Sequence, residues 1–180
     1  EKDNRVQGMP SQVAIDFEFK LLTIVPKAAI KATDELIVKM RMNHNVASAE
    51  VEAAVALGMP VDVMDTNSRT LLVTAAFTSN TNAVRALLKL GADPNRAMHT
   101  GMTALIYSAG EGHDDITAML LGAGAKTDAY LHIRGSLLEG YTALHFACLQ
   151  GRTNAVKLLL DYGADPESRD AKGATPLQVA

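Results

Sequence analysis

The sequence predicts an all-α solenoid, a stack of helix-turn-helix pairs preceded by a segment that does not share the repeat. Three near-copies of one phrase carry the prediction: Leu87-Leu88-Lys89-Leu90-Gly91-Ala92-Asp93-Pro94, Met119-Leu120-Leu121-Gly122-Ala123-Gly124-Ala125-Lys126 and Leu158-Leu159-Leu160-Asp161-Tyr162-Gly163-Ala164-Asp165-Pro166. Each closing glycine stands 21 residues after a threonine that opens an apolar run (91 − 70 = 124 − 103 = 163 − 142 = 21). A fixed period marks supersecondary units that bury their apolar faces only against one another. Composition agrees, because aromatic residues make up 4% of the 180 and Trp is absent, which suits thin helical layers. The function of such a stack is expected on a surface rather than in a pocket.

Residues 1–32 stand outside the repeat. Within them, Val13-Ala14-Ile15-Asp16-Phe17-Glu18-Phe19-Lys20-Leu21 alternates apolar and charged residues, the period-two pattern of a half-buried extended strand. No second run of this kind pairs with it, so it is expected to clamp over the first repeat or to add to the edge of a partner's sheet. Counting 33 back from Gly91 lands on Gly58, where Val51, Ala54 and Val55 form an apolar face. Residues 33–63 therefore read as a degenerate capping repeat, since terminal repeats are atypical.

Full repeats follow at 64–97, 98–136 and 137–169, and another opens at 170–180. In each, a threonine caps the first helix by accepting from backbone N–H groups, and the next position tolerates proline, as in Thr175-Pro176. The small pairs Ala75-Ala76, Ser108-Ala109 and Ala147-Cys148 let a second helix approach closely. That helix carries the apolar periodicity, as in Val84, Leu87 and Leu88 or Ile116, Met119 and Leu120, and the glycine supplies a left-handed C-cap. The threonine step is 33 for 103 − 70 and 175 − 142, but 39 for 142 − 103. Six extra residues thus lie between Gly124 and Thr142, in the apolar-rich segment Asp128 to Gly140, and lengthen a loop without shifting the helices.

Composition argues against several function classes. A formal net charge of −3 supplies no basic field for phosphate contacts, so no nucleic-acid partner is expected. One cysteine, Cys148, makes neither a disulfide nor a zinc site and fits a reducing compartment. The longest apolar run, Leu21 to Ile30, is broken by Pro26 and Lys27, so no membrane insertion is expected. An intracellular, cytoplasmic location is the default expectation. An organellar one stays open, because the chain opens at Glu1 without Met and stops at Ala180 inside a motif, as part of something longer would.

Motifs that suggest chemistry fail on spacing. Gly122-Ala123-Gly124-Ala125-Lys126-Thr127 imitates a phosphate-binding loop, but Ala125 separates Gly124 from Lys126 and the repeat register makes it a helix terminator. His44, His99, His113, His132 and His145 form no metal-ligand spacing, so no metal or cofactor is expected. No G-x-S-x-G occurs, Cys148 falls at a small-residue helix site, and Glu111, Asp114 and Asp115 suit a helix N-terminus. The chain is not read as an enzyme.

The openings Thr70-Leu71-Leu72, Thr103-Ala104-Leu105, Thr142-Ala143-Leu144-His145 and Thr175-Pro176-Leu177 resemble the T-P-L-H-x-A hallmark of the ankyrin repeat. The resemblance implies β-hairpin fingers between repeats, with the insertion at one fingertip, and a partner protein lying across the face made by fingers and inner helices. Carried over by position, the partner-binding residues are Arg69, Phe77, Thr78, His99, Met102, Glu111, Leu138, Glu139, Tyr141, Leu149, Gln150 and Lys172. Phe77, Met102, Tyr141 and Leu149 form the expected anchor strip, since interface centres favour aromatics and Met. The neighbouring finger positions Thr66 and Asn67 belong to the same face. Leu87 to Asn95 also resembles the segment whose asparagine is hydroxylated by an oxygen-dependent asparaginyl hydroxylase, with Pro94 departing from the aliphatic residue usual there. The function implied is a protein-recognition module. Its rival is a regulatory or targeting region of a larger enzyme, or an accessory subunit of a large assembly.

Overall fold

The computed structural model describes residues 27–42, 46–65 and 68–180. The strand-like run 13–21 lies outside the described residues, as do His44, Thr66 and Asn67. Among those described are eight helices: α1 (Lys27–Arg41), α2 (Ser48–Ala56), α3 (Leu71–Phe77), α4 (Thr81–Lys89), α5 (Ala104–Glu111), α6 (Asp114–Gly122), α7 (Ala143–Leu149) and α8 (Thr153–Asp161). A 3₁₀ turn, Pro176–Gln178, follows them. Helices α1, α3, α5 and α7 pack side by side as an inner layer that ends on the 3₁₀ turn, and α2, α4, α6 and α8 form the outer layer.

The threonine openings at 70, 103 and 142 act as read, whereas the Thr175 side chain makes no cap hydrogen bond. Thr70 Oγ1 accepts from Val73 N at 3.2 Å, and Thr103 Oγ1 accepts from Ile106 N at 3.2 Å, so each satisfies one N–H that a helix start leaves over. At the far end of each outer helix the glycine turns left-handed: Gly91 has φ +88°, its N–H reaches Leu88 O at 3.1 Å, and the next N–H, Ala92, reaches Leu87 O at 2.9 Å. This double closure consumes two orphan carbonyls and turns Ala92 into the core. Gly58, Gly124 and Gly163 repeat it, so the concealed first unit ends on the same device as its neighbours. The Gly122 to Thr127 segment accordingly closes α6 and opens no phosphate site.

The first unit begins earlier than expected. Helix α1 starts at Lys27, across the 32/33 boundary, because Thr33, Leu36 and Met40 fall on one buried stripe and the turns before them continue the helix. Val51 and Ala54 of α2 complete that unit's core. Small residues let the layers meet: Ala75, Ala76, Ala83, Ala109, Ala147 and Ala155 are fully buried. One polar pair sits among them, Thr117 Oγ1 donating to Ser108 Oγ at 3.0 Å between α6 and α5.

The fingers are narrow hairpins. Their bases close through Asp65 N to Arg69 O (3.0 Å), Met98 N to Met102 O (2.8 Å), Leu131 N to Tyr141 O (3.0 Å) and Asp170 N to Ala174 O (2.9 Å). Three residues lie between the paired ones in the ordinary fingers and nine in the third, so the whole insertion is spent at the tip, 132–140, and the helices keep their register. The expected repeat boundary at 136/137 therefore cuts through this tip, whereas the structural seam is at Leu131. The tip bonds to both neighbours, His132 N to Thr100 O at 2.9 Å and Ala171 N to Glu139 O at 3.0 Å.

Candidate functional site

The last turns of α3, α5 and α7 lie beside one another and set equivalent positions in a row, 77, 110 and 149 (110 − 77 = 33; 149 − 110 = 39). Phe77 ends α3 with 48% of its surface exposed, and Leu149 ends α7 with 41% exposed. Between them stands Gly110 of α5, where an added Cβ would meet Phe146 Cβ at 3.4 Å. The missing side chain lets aromatic rings from the layer beneath come up: Tyr107 packs edge to face on Phe77 with ring centroids 5.2 Å apart, and Phe146 lies half-buried against Gly110. The result is an apolar strip of Phe77, Tyr107, Phe146 and Leu149, held on helices rather than loops.

Tyr107 and Phe146 were not among the residues chosen from sequence. Their signal was present, since both stand four residues after a capping threonine (107 − 103 = 146 − 142 = 4), on the turn below the exposed end. One member of the expected anchor strip, Tyr141, must be corrected. Tyr141 is 7% exposed, packed on the rings of His145 (5.2 Å) and Phe146 (5.5 Å), and its phenol is pushed up by burial and then by the Asp170 charge. Met102 is half-buried against the core. Both sit at the hairpin base, where the chain turns inward to start a helix, so their side chains pack and Tyr141 is not offered to a partner. Leu138 likewise folds half-buried onto the core, while its neighbour Leu137 is 72% exposed.

The polar members divide into committed and free. Thr78 Oγ1 donates to Thr74 O at 3.0 Å within its own helix. Glu139 Oε2 accepts from Gly135 N at 2.9 Å and so stiffens the long tip. His99 is exposed and its Nε2 lies 2.7 Å from Ser68 Oγ, which joins the first two fingers. Arg69 Nε is enclosed without a hydrogen-bond partner. Glu111, Gln150 and Lys172 are exposed around the strip, with Lys172 held only through its backbone N–H to Asp170 Oδ1.

The remaining chemical candidates have structural work. Burial pushes the Cys148 thiol up, which keeps it protonated and a poor nucleophile at neutral pH. Asn95 Oδ1 accepts from Lys126 N at 2.8 Å and its Nδ2 donates to Gly124 O at 3.2 Å, so this side chain laces one repeat to the next. Among the described residues no group of His, Cys, Asp and Glu side chains is arranged to hold a metal ion, and no helix is long and apolar enough to cross a membrane.

Comparison with known families settles the architecture. A family model for ankyrin repeats in three copies matches residues 28–131, and one for ankyrin repeats in many copies matches 128–180. The chain belongs to the ankyrin-repeat family. It is 34% identical over 139 residues to the mitochondrial disaggregase of Bos taurus, covering 61% of this chain and 20% of that protein. It is 38% identical over 96 residues to the palmitoyltransferase Hip14 of Drosophila melanogaster, covering 53% of this chain and 14% of that protein. Similarity to ankyrin repeat and SOCS box protein 3 of Bos taurus is 37% over 154 residues, 68% of this chain and 29% of that protein. The chain thus spans under a third of each of these relatives. Ankyrin repeats are a non-catalytic protein–protein interaction fold, and this stack has that fold.

Proposed function

We propose that this ankyrin stack binds another protein across the face formed by its inner helices and fingers, without catalysis of its own. The observation that carries the reading is the strip of Phe77, Tyr107, Phe146 and Leu149, apolar and exposed at its two ends, bordered by Arg69, His99, Glu111, Gln150 and Lys172. Apolar centre and polar rim are the anatomy of a protein interface. Because the strip stands on packed helices, the partner docks on a preformed surface with little backbone change. The single cysteine supports an intracellular site of action.

The test is a paired affinity capture with quantitative mass spectrometry, comparing the wild type with Phe77→Ala/Leu149→Ala. Proteins enriched on the wild type should fall at least about tenfold on the variant, as expected for losing two anchors, while the helical circular dichroism stays the same. Equal enrichment on both baits would refute this use of the strip.

A second reading has its own support. Two relatives bear the names of enzymes, a disaggregase and a palmitoyltransferase, and the matched stretch is 20% and 14% of their lengths. On that reading the stack is the targeting or regulatory region of a larger enzyme, or a subunit of a larger assembly, and the same face selects what the rest acts upon. Sequencing the full reading frame decides between the two.

A further inference from the structure

A second site lies away from the helical strip, where the lengthened finger meets the last one. Along the outer edge of the stack, loops of successive repeats are laced by one side chain each. Asp62 Oδ1 accepts from Asp93 N at 3.1 Å, and Asn95 Oδ1 accepts from Lys126 N at 2.8 Å (93 − 62 = 126 − 95 = 31). The corresponding pair at the third seam is Asp128 and Asp165, displaced by the six inserted residues (165 − 128 = 37). Here the lacing is open. Asp128 is exposed and, among the described residues, takes part in no hydrogen bond or ion pair, and a cleft of about 590 Å³ occupies the seam.

The cleft is lined by charges of both signs, the carboxylates of Asp128, Glu139, Asp165 and Asp170 and the guanidinium groups of Arg134 and Arg169. Among the described residues neither Asp128 nor Asp165 is in an ion pair, and the Asp165 carboxylate accepts from Glu167 N at 2.9 Å. Arg134 comes from the long tip and Arg169 from beside the last hairpin; among the described residues Arg134 has no hydrogen-bond or ion-pair partner, and Arg169 donates to Gly173 O at 2.8 Å. Tyr130, 53% exposed, supplies an aromatic wall, and Ser168 Oγ is enclosed in the lining without a hydrogen-bond partner. The volume lies within the range of pockets that enclose ligands. Two carboxylates outside any ion pair, in a lining that also holds a phenol ring, suit an ammonium or guanidinium group, and Arg134 suits a carboxylate further along the same chain.

We propose that this cleft is a recognition site separate from the helical strip, and that it holds an extended segment of a partner protein carrying a lysine or arginine for Asp128 and Asp165 and an acidic residue for Arg134. The long finger is its roof, which gives the six inserted residues a function that the repeat itself does not need.

The test uses short fluorescein-labelled Gly/Ser peptides that contain lysine and glutamate in either order, lysine alone, glutamate alone, or neither, titrated against the 180-residue chain by fluorescence anisotropy. One order of lysine and glutamate should bind at least about tenfold tighter than the peptide with neither, in keeping with electrostatic selection. Asp128→Asn/Asp165→Asn should abolish that preference, and Phe77→Ala/Leu149→Ala should leave it intact. Both acids are exposed, and an Asn at 165 keeps an oxygen for Glu167 N, so the variant is expected to fold as the wild type does. Absence of any preference in the wild type would overturn the proposal. So would a preference for glutamate alone, a preference surviving in the double Asn variant, or one lost with Phe77 and Leu149.

Discussion

The imidazole of His145 joins two repeats through Ala174: its Nε2 lies 3.2 Å from the Ala174 carbonyl, while its Nδ1 lies 2.9 Å from Thr142 Oγ1 in its own repeat. A ring nitrogen beside a carbonyl donates, which leaves the other to accept from Thr142. His145 is fully buried, so removing the ring strands the hydroxyl and the carbonyl as well as opening a void. His145→Ala is expected to destabilise the stack by about 2–3 kcal/mol, read from the urea midpoint. A loss under half of that would mean water or a neighbour replaces both bonds.

Ser79 is a residue in the wrong chemistry for its backbone. It closes α3 at φ +55°, and the matching positions that close α5 and α7 are Gly112 and Gly151, at +77° and +63° (112 − 79 = 33; 151 − 112 = 39). A non-glycine residue in the left-handed region costs about 1 kcal/mol, so Ser79→Gly is expected to raise stability by roughly 0.5–1 kcal/mol despite the entropy that glycine adds to the unfolded chain. Thermal denaturation measures it. A lower midpoint would show that the Ser79 side chain contributes more than its backbone strain.

Phe77 and Tyr141 separate surface from core. The two were grouped in one apolar strip by repeat position, yet Phe77 is 48% exposed and Tyr141 is 7% exposed. Tyr141→Ala is expected to cost about 3 kcal/mol as a buried aromatic, whereas Phe77→Ala should cost about 1 kcal/mol or less because half of its ring is already in water. Denaturant titration of the two single variants compares them directly, and similar losses would contradict this partition.

The Lys39–Glu50 ion pair ties α1 to α2 and makes a signed pH prediction. The hydrogen bond from Lys39 holds the Glu50 carboxyl below its usual range, and the same bond raises the Lys39 ammonium. A depressed carboxyl stabilises above its unfolded value and loses that contribution as pH falls through the folded one. The difference in thermal midpoint between wild type and Glu50→Gln should therefore be steady at neutral pH and fade as pH falls below the ordinary glutamate range. It should be small throughout, since both groups are solvent-exposed. A difference that grows on acidification would reverse the assignment.

Most of the stack was legible in the sequence because glycine and threonine act locally. Gly91, Gly124 and Gly163 report a backbone conformation that few other residues tolerate, so counting between them recovered even Gly58 and the unit it ends. What was not legible depends on contacts made far along the chain. Tyr141 points inward because it packs in the core and on the rings of His145 and Phe146, contacts that its place at a finger base does not announce. The approach of Phe146 to the strip likewise depends on its neighbour at 110 being glycine, a property of the pair rather than of either position.

The long finger itself is the last case, because loop length and loop packing predict different outcomes. Replacing the nine residues of the tip, 132–140, by the His99-Thr100-Gly101 tip of the second finger removes the six-residue excess. Chain entropy alone favours the shorter loop by about 1 kcal/mol. Against this, Ile133 and Leu138 are half-buried on the core and Glu139 O accepts from Ala171 N, so apolar cover and a finger-to-finger bond are lost together. Those losses outweigh the entropy, and the exchange is expected to destabilise by about 1–2 kcal/mol. The urea midpoint decides. An unchanged or higher midpoint would mean the tip is a solvated excursion, and its residues would then be kept for recognition alone.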